Sequence, residues 1–179
     1  MKQKKTLLWI TETAVMLALL ICLQALTKPM GQLVTGSFVN GVLAVTVLVA
    51  GLYSGLTVAL ISPVLAYLMG IAPQVLTVPA IMVGNCVYVI LMYVIAGKDS
   101  KKLVRQLLAW LTAAVAKFAA LYAIVAWVIC NVLAQNLGVK PPMAAKLIPM
   151  FSWPQLVTAL IGGAVALIIV PMIRKALRR

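Results

Sequence analysis

Six apolar stretches, separated by short polar breaks and by breaks bearing proline or glycine, set the rhythm of this chain. A bilayer core about 30 Å thick needs roughly 20 helical residues at 1.5 Å each. Divided on that scale, the pattern predicts an all-α membrane protein of six transmembrane helices, over residues 7–26, 32–52, 55–69, 77–96, 104–135 and 153–173. The first ends at Lys28-Pro29 and the second at the turn Tyr53-Ser54-Gly55. The third is short and contains Pro63, so a kink or an incomplete crossing is expected there. The fourth carries Pro79 in its first turn, where proline is tolerated. The fifth is longer than a membrane requires and must tilt or project. Residues 1–179 read as a single integral membrane domain.

Charge orients the helices. With the N-terminus inside, the cytoplasmic segments hold Lys2, Lys4, Lys5, Lys98, Lys101, Lys102, Arg105, Arg174, Lys175, Arg178 and Arg179. The outer segments hold only Lys28, Lys140 and Lys146. This bias toward one side predicts that both termini are cytoplasmic, and an even number of spans, which puts them on the same side, agrees. The lysine-led first stretch resembles a signal peptide, but its apolar run exceeds the usual h-region of about 7–15 residues and is read as a retained span. The outer segments around residues 27–35, 70–75 and 136–149 contain Pro29, Pro73 and Pro141-Pro142, and are expected to be stiffened loops over a site that opens outward.

Composition narrows the class. Hydrophobic residues make up 65% of the chain, against the roughly 45–50% typical of soluble domains. The net charge of +13 is spread in short clusters between apolar segments, without an aromatic-rich basic surface, so lipid rather than nucleic acid is the expected partner. Cys22, Cys86 and Cys130 lie in apolar stretches without C-x-x-C spacing, and there is no histidine, so no metal site and no cofactor is expected. No phosphate-cradling G-x-x-x-x-G-K-[ST] loop occurs. The two acids, Glu12 and Asp99, are far apart in sequence, which leaves little for acid–base or two-metal chemistry. The chain is not read as an enzyme.

The most informative residue is Lys117, the one cation inside the apolar run 107–134. A charge at mid-bilayer costs roughly 2.5–3.5 kcal/mol even on the lenient insertion scale, and usually faces a cavity or a partner. Snorkelling is the ordinary alternative, but Lys117 lies about 18 Å along the helix from Arg105. Glu12 and Asp99 sit near the ends of other segments, so the natural counter-charge is an anionic ligand from outside the chain. Other polar residues within the spans are Asn40, Ser62, Asn85, Tyr88, Trp127, Asn131, Gln155 and Thr158. At 100° per residue Asn131 falls on the Lys117 face, about 21 Å nearer the outer surface. Asn85 and Tyr88 share a face at i, i+3. The structural reading of each asparagine alone is an interhelical hydrogen bond. The small-residue stripe Ala14, Ala18, Cys22 permits close approach of another helix, as do other small pairs such as Gly162/Ala166.

Six short spans, no ATPase motif, and Ala14-Val-Met-Leu-Ala18 on the first helix together resemble the substrate-binding S component of energy-coupling factor (ECF) transporters, in an uncharacterised subgroup. The stretch from Lys28-Pro-Met-Gly-Gln to Gly36-Ser-Phe-Val-Asn40 adds to the likeness. The resemblance implies a subunit of an ABC-type importer in the prokaryotic plasma membrane that captures a vitamin-like micronutrient at its outer side. It implies docking, through Ala14 and Ala18, on a transmembrane coupling subunit with two ATPase subunits. By region, it places the substrate among Gln32, Gln74, Asn85, Tyr88, Lys117, Asn131 and Gln155. Lys117 favours an anionic or zwitterionic molecule. The rival readings are a small stand-alone oligomeric secondary transporter and a membrane scaffold that transports nothing.

Overall fold

A computed structural model of the chain describes residues 2–71, 74–97 and 103–177, with side chains from Thr6 onward. Lys98, Lys101, Lys102, Arg178, Arg179, Asp99 and Pro73 lie outside the described residues, as do the side chains of Lys2, Lys4 and Lys5. The described residues form seven α-helices: α1 (Lys2–Thr27), α2 (Gln32–Val49), α3 (Leu52–Leu68), α4 (Val78–Ala96), α5 (Leu103–Tyr122), α6 (Pro141–Met150) and α7 (Trp153–Ala176). A π-helix, Ala123–Val132, prolongs α5, and short 3-10 turns at Lys28–Met30 and Val75–Thr77 lead into α2 and α4.

Among the described residues five helices are long and apolar enough to cross a bilayer. A further apolar helix, α3, is shorter at 17 residues, about 26 Å of helix. It carries Pro63 inside, which removes the helical bond to the Ala59 carbonyl. Many large apolar side chains face outward, among them Leu7, Val94, Val115 and Ile168, as a lipid-facing surface requires.

Three expectations need correction. The break after the second span falls at Ala50-Gly51, where Gly51 takes a left-handed φ of 95°, and not at Tyr53-Ser54-Gly55, which lies in the first turn of α3. Residues 136–149 were expected to form a loop, but from Pro141 onward they form α6. Pro141 and Pro142 occupy the first helical positions, where the preset φ helps and the missing N–H would have been unpaired anyway. The fifth span does not continue as an α-helix to residue 135, because from Ala123 it widens into π winding. There the bonds run from residue i to i+5, as from Leu133 N to the Val128 carbonyl at 2.8 Å.

α2 is the hub of the bundle, packed against α1, α3, α4 and most extensively α7. Its crossing with α7 depends on glycine. A Cβ on Gly162 would meet the backbone oxygen of Ser37 and the backbone nitrogen of Gly41, and one on Gly36 would lie 2.9 Å from Thr158 Cγ2. The α4–α5 crossing uses Gly84 in the same way, against Leu121. At the end that holds both termini, two cations take helix C-terminal carbonyls: Arg105 Nε donates to Ile95 O at 2.5 Å, and Arg174 Nη2 to Leu48 O at 2.7 Å. The opposite end carries Lys28, Gly31 with its left-handed φ of 87°, and α6.

The α2–α7 crossing yields a test. Gly162→Ala should destabilise the detergent-solubilised protein by about 3 kcal/mol, the upper part of the overpacking range, because backbone atoms cannot rotate away. That corresponds to a fall of roughly 6–12 °C in thermal midpoint. Ile168→Ala on the lipid-facing side of α7 should leave the midpoint nearly unchanged. Equal midpoints for wild type and Gly162→Ala would contradict this crossing.

Candidate functional site

A cavity of about 270 Å³ lies inside the bundle at the end remote from the termini. Its rim is formed by Gln24 in the last turn of α1, Lys28 in the 3-10 turn that follows, Gly31 and Gln32 at the start of α2, and Met150 and Gln155 at the junction of α6 and α7. Val39, Pro63, Ala66, Ile71, Ile81 and Phe151 supply apolar walls. Deepest among its lining are Asn40, Ser62, Asn85 and Lys117. Asn40 lies eight residues along α2 from Gln32, which puts it about 12 Å below the rim.

Lys117 organises this floor. It is 3% exposed, and its Nζ donates to Asn40 Oδ1 at 2.5 Å and to Asn85 Oδ1 at 2.7 Å. Behind it lies the Tyr88 ring, 5.5 Å from Nζ to centroid, a cation–π contact. Asn40 is braced in turn, its Nδ2 donating to Thr158 Oγ1 at 3.2 Å, which itself donates to the Gln155 carbonyl at 3.1 Å. The acceptors of the ammonium are neutral amides, which solvate the charge without neutralising it. An ammonium has three donors, and two are spent on these oxygens. Three further buried polar atoms on cavity-lining residues have no hydrogen-bond partner: Gln24 Oε1, Ser62 Oγ and Asn85 Nδ2. Buried polar groups are almost always paired, so orphans gathered around one cavity point to a guest that completes them.

The roof is tied down by two glutamines. Gln32 Nε2 and Gln155 Nε2 both donate to the Met150 carbonyl, at 2.6 and 3.0 Å. That carbonyl belongs to the last turn of α6 and has no partner within its own helix.

Of the residues expected from the sequence, Lys117, Asn85, Gln32 and Gln155 line the cavity, and Tyr88 packs behind the lysine. Gln74 and Asn131 do not join them. Gln74 precedes the 3-10 turn before α4, where its carbonyl accepts from Thr77 Oγ1 at 2.7 Å. Asn131 is exposed and its Nδ2 donates to the Ala126 carbonyl of its own helix. The wider π turn advances each residue by less than 100°, so the stripe drawn from Lys117 loses phase before reaching it.

Sequence reasoning noted Asn40 and Ser62 as polar residues within spans without assigning them to the site, and did not single out Gln24. Depth was the missed signal. Asn40 and Asn85 each stand eight residues from the predicted outer starts of their spans, at 32 and 77, which places both amides on one level. Ala14, Ala18 and Cys22 are exposed on the outward side of α1, away from the cavity.

Residues 9–174 match the family model described as "ECF transporter, substrate-specific component". No curated protein and no solved structure matches the chain.

The floor makes a prediction that needs no ligand. Asn40→Leu leaves a buried ammonium one acceptor short and should cost about 2–4 kcal/mol of stability. In a Lys117→Met background the same change should cost less, with a coupling of about 1.5–3 kcal/mol in the double-mutant cycle. Asn131→Ala should shift stability by no more than about 0.5 kcal/mol. A coupling near zero between positions 40 and 117 would show that the pair does not interact.

Proposed function

The chain belongs to the substrate-specific components of ECF transporters, multi-pass proteins of the prokaryotic plasma membrane, and we propose that it captures an anionic or zwitterionic micronutrient in the cavity floored by Lys117. The observation that carries this reading is the buried ammonium itself. Its hydrogen-bond acceptors are the amide oxygens of Asn40 and Asn85, and Glu12 lies on α1 toward the other end of the bundle. In a low-dielectric interior such a charge attracts an anion strongly, and an anionic guest offsets much of the cost of burying it.

The orientation we infer puts the cavity outside the cell. Its rim lies at the end remote from the termini, and the excess of cations at the other end favours a cytoplasmic position for both termini. A surface for a delivery partner is available on α1, whose small residues Ala14 and Ala18 are exposed rather than packed in the bundle. Small residues let another helix approach closely, which suits docking on the transmembrane coupling subunit of an ATP-driven module. The substrate belongs to the vitamin-like class by the same reading.

Two experiments test this. Lys117→Met should weaken capture of the transported molecule by about 2–5 kcal/mol, since it removes one partner of a buried charge pair. Unchanged uptake and binding in that variant would sink the counter-charge. Ala14→Trp combined with Ala18→Trp should abolish co-purification with the coupling subunit and ATPases while leaving small-molecule binding intact. A double mutant still captured by the module would rule out α1 as the docking surface.

A further inference from the structure

The geometry points to a carboxylate, and to a single one, as the group that the cavity floor receives: one oxygen accepts the free N–H of Lys117 and the other accepts from Asn85 Nδ2. This assignment rests on the capture function proposed above and narrows it from anions in general. Three features of the floor carry it.

The first is charge. Lys117 is the one cation of the floor, and the residues beside it, Asn40, Ser62 and Asn85, are neutral. A monoanion balances one ammonium, whereas a phosphate monoester dianion would bring to the floor a second charge that no cation there meets, Lys28 being at the rim. The second is the supply of donors. Asn85 turns its Oδ1 to Lys117, which leaves its Nδ2 buried and without a partner on the same amide. One ammonium N–H and one amide N–H, an amide's width apart, suit the two oxygens of a carboxylate. Ser62 Oγ, also unpartnered, supplies one more hydrogen bond at this level.

The third feature is the lack of backbone donors at this depth. Phosphate sites draw on free N–H groups at helix N-termini or in backbone nests. Asn40, Ser62, Asn85 and Lys117 all lie inside helices, where N–H groups are spent on carbonyls one turn back. The helix starts at this end, Gln32 of α2, Val78 of α4 and Trp153 of α7, lie about 12, 10 and 8 Å along their own helices from Asn40, Asn85 and Thr158. A phosphate placed there would leave Lys117 without a counter-charge.

The remaining cavity shapes the rest of the molecule. Its volume of about 270 Å³ lies just below the range of roughly 300–1,000 Å³ usual for ligand pockets, so the guest is small. Val39, Ile81 and Phe151 take an apolar body. Gln24 Oε1, nearer the rim and without a partner, asks for an N–H or O–H at the far end.

The test offers the detergent-purified protein a protein-free extract of yeast small molecules, then identifies by mass spectrometry what denaturation releases after washing. Wild type should retain a compound with one carboxylate and no phosphate. Mild methyl esterification of the extract should abolish its retention. Asn85→Asp, which keeps an oxygen on Lys117 but replaces the free N–H with a second oxygen, should retain at least about tenfold less. Retention of a phosphate ester, a cation or a molecule lacking a carboxylate would overturn the assignment while leaving capture intact. Retention that survives esterification would overturn it without any variant. A folded wild-type protein that retains nothing would overturn both the assignment and the capture reading beneath it.

Discussion

One ammonium in the middle of an apolar bundle constrains much of this fold. Lys117 cannot reach an interface, and its charge is tolerated only where polar oxygens surround it. Those oxygens come from Asn40 on α2 and Asn85 on α4, both within 3 Å of Nζ. Satisfying them fixes the axial register of three helices at once, because a slip of one turn, about 5.4 Å, would break both bonds. The close helix approaches serve the same level of the bundle. Gly84 admits Leu121 one turn above Lys117, and Gly36 admits Thr158, which braces Asn40 from α7. Tyr88, fully buried, presents its ring face to the charge from behind.

This arrangement divides the molecule into two unlike ends. Toward the termini, Arg105 and Arg174 fold back onto carbonyls of α4 and α2, satisfying backbone groups that a helix end leaves free. The polar side chains there close the structure. At the other end the polar atoms are left incomplete around a cavity, and the closing contacts are made by α6 instead. Unpaired buried polar groups are costly, and three of the four among the described residues line the cavity, the fourth being Tyr88 Oη near Gly163, so their concentration there marks where binding free energy is held in reserve.

The legible part of the sequence was what a bilayer imposes on any chain. Apolar length marked the apolar helices, five of them long enough to cross a bilayer and α3 shorter, and the isolation of Lys117 among apolar neighbours singled out a residue that lines the cavity. Asn85, Gln32 and Gln155 were legible as polar residues on the right helices. Two failures share a cause, because each applied a local rule where the backbone does something less common. Pro141-Pro142 reads as a loop unless it happens to start a helix, and it does. Asn131 lies on the Lys117 face only if the helix keeps 3.6 residues per turn, and from Ala123 it does not. Asn40 was missed for another reason. Helical periodicity ranks residues around one helix but is silent about depth shared between helices, and the partnership of Asn40 with Lys117 is a matter of depth.

The roof, like the floor, is held by side-chain amides. Gln32 and Gln155 line the cavity, and both spend an amide N–H on the carbonyl of Met150 at the end of α6. α6 otherwise rests on the π-helix through a separate apolar cluster that includes Ile129, Leu147 and Phe151. Each amide nitrogen carries a second N–H, so the glutamines can hold the roof with one and offer the other to a guest. A guest that accepts it adds to the roof contacts, whereas one that reaches only the floor leaves them as they are. Recognition by charge is thus placed deep, on rigid helices, where three elements fix the lysine. Selection among molecules that share that charge falls to the walls and rim, whose side chains can change without disturbing the buried ammonium.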